Sequence, residues 1–281
     1  MKIIELFAGI GSQAMALRNI GADYEIVGIS EIDKFAIISY NAIHGETKNF
    51  GDITKIKELP KCDLVTLSFP CQSLSISGKQ EGIKKGTESG LLLEVKRLRN
   101  GYVRGKAFKG IVEEKADFAY TLKASGGTRP TDNYIIQIGN IGNLKKFGGN
   151  PQTGRVYNSQ GICPALSTMQ GGNRQPKVVT EFPENFSKNK YNIKISPVIK
   201  TKDGQCLSDL IETGYVIRKL TPLECWRVMG FSDEDFKKAK AIGTSDTQLY
   251  KQAGNSIVVD VLEGIFKNII KADKENKKAG N

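Results

Sequence analysis

Cys71 stands in Ser68-Phe69-Pro70-Cys71-Gln72, directly behind a short apolar run, and a thiol presented on such a loop has the chemistry of a nucleophile. A free thiol ionises at about pH 8.5, so that role needs a helix dipole or nearby cations to lower its pKa. Burial as an inert packing group is the commoner fate of cysteine. The polar stretch from Gln72 to Gln80 argues against it here. A second group of residues suits a nucleotide-type cofactor. Phe7-Ala8-Gly9-Ile10-Gly11-Ser12 follows an apolar strand and opens a helix, where glycines let the backbone approach a ligand closely. The turn has fewer glycines than the dinucleotide fingerprint, and it equally suits a plain strand-to-helix turn. Glu31, at the end of a second apolar run, has the side chain to accept hydrogen bonds from both hydroxyls of a ribose. Asp52, at the end of a third, has the oxygens to receive an adenine amino group.

The remaining reactive side chains offer less. Cys62 precedes a strand, Cys225 reads as packed in a helix, and nothing beside Cys163 or Cys206 resembles a base. The five cysteines have no paired metal-ligand spacing, so neither a zinc site nor a disulfide framework is expected. His44 is the single histidine and reads as structural, which weighs against a histidine base. Trp226 and Met229 read as core.

The elements that must position these groups alternate strand and helix over the first ninety or so residues, the pattern of a parallel sheet flanked by helices. Strands are expected at Ile3 to Phe7, Glu25 to Ile29, Asn49 to Ile53 and Asp63 to Phe69. Helices are expected from Ser12 to Asn19, ended by Gly21, and across Phe35, Ala36, Ile38 and Ile43. Each strand's carboxyl end carries a polar or unusual residue, and open parallel sheets bind ligands at those ends.

From Asn100 to about Ile217 glycine rises and apolar runs shorten, which predicts a loop-rich region containing β-structure. Tyr120-Thr121-Leu122 followed by Gly126-Gly127-Thr128-Arg129-Pro130 is echoed by Pro164-Ala165-Leu166 followed by Gly171-Gly172-Asn173-Arg174. The echo predicts two similar loops on one surface; Arg129, Arg155 and Arg174 are candidates for contact with a polyanion and equally suit a solvated surface. Helix then returns. Thr221-Pro222-Leu223-Glu224 reads as an N-cap with proline at the first helical position. A long helix is expected from Ile257 to about Ala272, with Val258, Val261, Leu262, Ile265 and Ile269 as its core face.

Composition bounds the partners. The chain has 281 residues, 39% hydrophobic and 25% charged, and a formal charge of +11 from 41 basic against 30 acidic side chains. That imbalance suits a polyanion, although a solvated lysine-rich surface and the basic tail after Lys267 account for part of it. No apolar run approaches the roughly 18 residues of a membrane span, and the N-terminus lacks a signal peptide's cleavage region. A cytoplasmic protein without a membrane partner is expected.

Taken in order along the chain, these motifs resemble the DNA cytosine-5 methyltransferases. Phe7-Ala8-Gly9-Ile10-Gly11 resembles the family's first cofactor motif, Glu31-Ile32-Asp33 its second and Gly51-Asp52-Ile53 its third. Pro70-Cys71-Gln72 resembles the catalytic loop, and Gly90-Leu91-Leu92 the motif after it. Arg218-Lys219-Leu220-Thr221-Pro222 through Gly230-Phe231, with Gln252-Ala253-Gly254-Asn255-Ser256, resemble the two terminal motifs.

The resemblance implies an α/β fold: a Rossmann-like S-adenosylmethionine-dependent methyltransferase domain with a truncated sheet, plus a smaller loop-rich, β-containing target-recognition domain. It implies a first catalytic part at residues 1–98, target recognition at 99–217, and a return to the catalytic domain at 218–281. Cys71 would add to C6 of a flipped-out cytosine, making C5 nucleophilic enough to take a methyl group. S-adenosylmethionine would lie against Phe7, Gly9, Gly11, Glu31, Ile32, Asp52, Ile53, Pro70, Leu91, Asn255 and Ser256. Double-stranded DNA would meet Gln72, Ser75, Arg129, Arg155 and Arg174. The setting implied is restriction-modification or a phage, in a bacterial or phage-infected cell, with a monomeric enzyme.

The departures matter as much. Family members carry a strand ending in Glu-Asn-Val, whose glutamate protonates cytosine N3, and later a Gln-Arg-Arg-type motif. Here Leu93-Glu94-Val95-Lys96-Arg97-Leu98 passes directly to Arg99-Asn100-Gly101-Tyr102 and neither motif follows. Glu94 reads as helical and cannot stand in. An internal deletion is expected to weaken folding and leave little or no activity. A remnant that binds only DNA or cofactor, or a chain completed by a second polypeptide, is therefore kept beside the active enzyme. So is a small-molecule methyltransferase or redox enzyme on a similar fold, which the charge and the glycine-rich insert disfavour.

Overall fold

The computed structural model describes residues 1–70, 83–100, 137–140, 155–158, 166, 175–181 and 215–279. Chain contacts divide it into two compact units, residues 1–114 with 226–281, and residues 115–225.

In the first unit, β1 (Lys2–Leu6), β2 (Glu25–Ser30) and β3 (Leu64–Leu67) form a parallel sheet in the order β2-β1-β3. β1 is central because its apolar residues are buried on both faces: Ile3, Ile4 and Leu6 are all 0% exposed. Parallel strands covered by helices on both sides require such runs. One face packs Ile4 and Leu6 with Ile53, Ile56, Leu59 and Leu98. Leu98 comes from α3 (Leu92–Asn100), which is tied down by Arg97 donating to the carbonyls of Ile53 at 3.3 Å and Ile56 at 2.8 Å.

α1 (Ser12–Asn19) has the expected bounds, Gly21 follows it with a φ of 64°, and α2 (Lys34–His44) spans the apolar residues expected to be helical. The expected strand at Asn49 to Ile53 is corrected. Pairing there narrows to one bridge, Asn49 to Ile29, after which Gly51 at φ 72° turns the chain into a 3-10 turn, Ile53–Lys55. Asp52 caps that turn by accepting from the Thr54 amide at 2.9 Å, so local capping overrode the apolar pattern.

The second unit holds a sheet in the order β4 (Gln137–Asn140), β5 (Arg155–Asn158), β6 (Lys177–Glu181), β7 (Tyr215–Lys219). Its pairings run antiparallel, parallel, antiparallel. Val156 and Tyr157 are buried, which makes Arg155 the start of a strand and not a loop residue as expected. Apolar alternation in Arg155-Val156-Tyr157 outweighed the glycines around it.

α4 (Pro222–Val228) opens with a reciprocal capping box. Glu224 accepts from the Thr221 amide at 2.7 Å while Thr221 Oγ1 accepts from the Glu224 amide at 3.2 Å. Arg218 clamps the same carboxylate at 2.7 and 2.8 Å, and with that hydrogen bond leading, the Glu224 pKa is held down to about 2.

α5 (Asp233–Ala241), α6 (Asp246–Asn255) and α7 (Val259–Ala279) complete the first unit. α7 packs on α1, and only partly by the face expected: Leu262 is buried, and Val258 and Ile269 are half-buried. Val259, Leu262 and Phe266 are buried, whereas Val261 and Ile265 are 56% and 48% exposed. The apolar arc is wider than the contact, and the packing selects its Val259-Leu262-Phe266 edge. The helix also starts at Val259, whose amide donates to the Met229 carbonyl, and runs to Ala279.

A buried carboxylate and a partly buried imidazole give the first unit opposing responses to pH. Glu5 is 0% exposed, accepting from the Ala14 amide at 2.8 Å and the Tyr40 hydroxyl at 2.5 Å, and burial raises its pKa to about 7. Its stabilising neutral form is complete below about pH 4.5 and is lost as pH rises toward 7. His44 is the mirror case: burial lowers its pKa to about 4 from 6.5, so its contribution is present above pH 6.5 and lost as pH falls toward 4. The two slopes oppose each other between about pH 4.5 and 6.5. Replacing Glu5 with glutamine keeps the Ala14 bond, reverses the Tyr40 bond so that the amide donates to the hydroxyl, and removes one slope. The Glu5→Gln variant is expected to lose about 2 kcal/mol more than the parent between pH 6.5 and 4.5. Urea midpoints across that range check it, and parallel curves would refute the balance.

Candidate active site

The cofactor-type residues converge at the carboxyl ends of β1, β2 and β3. The chain leaves β1 through a turn in which Phe7, Gly9 and Gly11 have φ of 55°, 57° and 82°. A left-handed phenylalanine costs conformational energy, and such residues cluster at functional sites. Gly11 has a steric reason as well: a Cβ there would lie 2.4 Å from His44 Nε2 and 2.7 Å from the Tyr40 ring. His44, whose Nε2 is 3.1 Å from the Ile10 carbonyl oxygen, thus supports the turn from α2, which fits its expected structural role. At Gly9 the space is open, since a Cβ would meet nothing within 4 Å.

Glu31 closes the arrangement from β2. Its Oε2 accepts from the Gly9 amide at 2.8 Å, and its Oε1 accepts from the amides of Ile32 and Asp33 at 2.8 and 2.9 Å. A carboxylate has about four lone-pair sites, so these three bonds leave room for one further donor without displacing an amide. The expectation that Glu31 takes both ribose hydroxyls therefore requires one amide bond to yield. Ile32 beside it is 73% exposed, an apolar side chain left uncovered. Asn49 braces the segment by donating to the Glu31 carbonyl at 2.9 Å and accepting from the Gly51 amide at 2.9 Å.

Asp52 lies on the adjoining turn, its pKa lowered by the Thr54 amide and hydroxyl hydrogen bonds. Ile53 does not line an open surface with its side chain: it is 3% exposed and packs with Ile4 and Leu6. Leu91 is half-buried against the same cluster. Pro70 ends the described stretch after β3, and its carbonyl accepts from the Ser89 hydroxyl at 2.9 Å.

The terminal motif reaches this region through residues 251 and 252. Lys251 pairs with Asp33 at 2.6 Å, and Gln252 donates to the Phe35 carbonyl at 3.1 Å and to Ser39 Oγ at 2.9 Å. Burial acts against ionisation of Asp33, but the Lys251 hydrogen bond prevails and its pKa is lowered. Asn255, exposed at the end of α6, and half-buried Ser256, donating to the Gln252 carbonyl at 2.8 Å, follow directly. The sequence did not single out Lys251, Asp33, His44 or Tyr40 as a scaffold for the site. Their partners lie far off in sequence, and only the repeated polar residues flanking the motifs hint at them.

Cys71, Gln72, Ser75, Arg129 and Arg174 lie outside the described residues. Arg155 is half-buried in β5. Among the described residues no cluster of histidine, cysteine and carboxylate side chains could hold a metal ion, and no helix is long and apolar enough to cross a membrane.

The family model for the C-5 cytosine-specific DNA methylases matches residues 1–102 and 109–271. The chain belongs to the cytosine-5 DNA methylase family. Among its relatives, the orphan methyltransferase M.SPBetaI of Bacillus phage SPbeta is 29% identical over 435 aligned residues, spanning 96% of this chain and 97% of the relative. The type II methyltransferase M2.ScrFI of Lactococcus lactis subsp. cremoris is 29% identical over 367, spanning 97% and 99%. The methylase fold is shared with the crystal structure of S. pombe Dnmt2 methyltransferase, at a TM-score of 0.55 and 14% identity, over 97% of this chain and 99% of that one. The parallel sheet of this cytosine-5 methylase and the convergence at its strand ends are thus the expected Rossmann-like α/β architecture.

Proposed function

We propose that the chain transfers a methyl group to C5 of cytosine within a specific sequence of double-stranded DNA, with Cys71 adding to C6. The observation that carries this reading is the joining of Gly9, Glu31 and exposed Ile32 at strand ends beside the segment that leads from Ser68 to Cys71. The residues suit a nucleoside: open space at Gly9, a carboxylate with one free lone-pair site, and an uncovered apolar side chain for a purine face. S-adenosylmethionine supplies the methyl group when bound. Phe7, Gly9, Gly11, Glu31, Ile32, Asp52, Pro70, Leu91, Asn255 and Ser256 would hold it, Ile53 contributing backbone only. The catalytic domain would comprise residues 1–98 and 218–281, and residues 99–217 would read DNA, with Gln72, Ser75, Arg129, Arg155 and Arg174 touching it. The setting would be the cytoplasm of a bacterial or phage-infected cell, and the enzyme a monomer.

Turnover would be slow. The alignment with the phage relative extends over 435 residues against 281 in this chain, so the relative has residues without a counterpart here, which is compatible with the absence of the Glu-Asn-Val and Gln-Arg-Arg-type motifs. Glu94, which precedes that gap, sits on α3 and is bound to Arg97 at 2.7 Å. The same observation favours a second reading, a chain that binds DNA or cofactor and needs a second polypeptide for turnover. Incubation with labelled S-adenosylmethionine and unmethylated DNA, alongside fluorocytosine DNA, separates the two. Slow transfer and a covalent adduct, both lost in Cys71→Ala, are expected. A folded chain that binds DNA but gives neither product would leave only the second reading.

A further inference from the structure

α1 buries two polar residues, Ser12 and Gln13, at the head of an apolar run. Gln13 is 1% exposed between the turn at Gly11 and the packed residues Ala14, Met15, Ala16 and Leu17. An unsatisfied buried carboxamide would be costly, so its partners indicate what keeps it there. Its Oε1 accepts from Ser12 Oγ at 3.3 Å, and its Nε2 donates to Ser68 Oγ, 55 residues away. Ser68 is held a second way, its amide donating to the Leu6 carbonyl at 3.1 Å. Two residues on, Pro70 is held from another side by Ser89, which is 0% exposed.

Ser89 stands on a closed turn. Thr87 Oγ1 donates to the Lys84 carbonyl at 2.9 Å and accepts from the Gly90 amide at 3.0 Å, and a Cβ on Gly90 would lie 1.8 Å from the Lys84 oxygen. The chain entering Cys71 is thus fixed at Ser68 by the cofactor turn's own helix, and at Pro70 by the turn before α3.

We infer that Gln13 is a positioning residue for the nucleophile, acting through Ser68 and paired with Ser89 on Pro70. This rests on the reading of Cys71 as the nucleophile. The tether joins the helix after the cofactor turn to Ser68, three residues before the proposed nucleophile in sequence. Gln13→Met fills the same volume without a donor, and Ser89→Ala removes only a hydroxyl.

The test is the rate at which iodoacetamide alkylates Cys71 in the full chain, read peptide by peptide by mass spectrometry, with Cys62 as an internal reference. Cys62 is half-buried and packs on the cluster that also takes Leu67 and Leu91, so a general loosening of that core would raise its rate as well. Each variant is expected to raise the Cys71 rate about threefold to tenfold, the worth of one hydrogen bond, with Cys62 unchanged. A Cys71 rate equal to the parent's, or a parallel rise at Cys62, overturns the tether. Calorimetric titration with S-adenosylhomocysteine separates this from the function proposed above. A selective Cys71 effect without cofactor binding supports the tether and counts against the cofactor reading alone.

Discussion

Grafting a segment that carries the family's Glu-Asn-Val motif between Tyr102 and Lys109, where the family match is interrupted, is expected to speed methyl transfer by about 10² to 10⁴. The physical basis is the fate of charge during thiolate addition. Attack at C6 drives electron density onto the cytosine ring, and an acid placed at N3 neutralises it in the transition state. Nothing described in this chain takes that role. Glu94 is committed to Arg97 on a helix, and Glu5 is 0% exposed beneath the sheet end, held by Tyr40 and Ala14. The graft should also give β3, which pairs only with β1 among the described residues, a further neighbour. Single-turnover rates with labelled cofactor check the prediction. A graft whose Glu-Asn-Val glutamate is replaced by glutamine should lose most of the gain. A parent chain as fast as the graft would show that the acid is not missing.

Trp226→Ala is expected to cost about 4 kcal/mol of folding free energy, a large fraction of a typical domain's stability. Trp226 is the single tryptophan and is 0% exposed. Its ring lies 5.0 Å from Phe231 and 5.5 Å from Phe236, and its Nε1 donates to the Leu249 carbonyl at 3.0 Å. One side chain thereby joins the end of α4 to α5 and α6. Removing it opens a cavity among aromatic rings and takes from the helical Leu249 carbonyl its second donor. Trp226→Phe retains most of the packing and loses the donor, at about 1 to 3 kcal/mol. Urea unfolding followed by circular dichroism should order the midpoints parent, Phe, Ala. An alanine variant within about 1 kcal/mol of the parent would contradict the buried-anchor role.

The terminal motif is where these effects meet the site. α6 carries Leu249, which Trp226 grips, then Lys251 and Gln252, which hold the start of α2. Asn255 and Ser256 follow on the same stretch of chain. Loosening Trp226 should therefore weaken whatever Asn255 and Ser256 contribute.

What the sequence determined by itself was local. The apolar runs of β1 and β2, the glycines of the first turn, the Thr221 capping box and the buried Trp226 were legible, because each depends on neighbouring residues or on burial tendency. Family membership was legible too, since the motifs stand in order along the chain. Where backbone capping competes with pattern, the sequence misled: Gly51 and Asp52 turn the chain into a 3-10 turn where a strand was expected. On α7 the apolar residues cover a wider arc than any one contact, and α1 decided that Leu262 and Phe266 go inward while Val261 and Ile265 stay out. The anchors of Cys71's segment and of the terminal motif likewise belong to tertiary structure. Gln13 with Ser68, Ser89 with Pro70 and Lys251 with Asp33 join residues 55, 19 and 218 positions apart. Such partners carry no local signature, because a hydrogen bond is chosen by which surfaces the hydrophobic packing brings together.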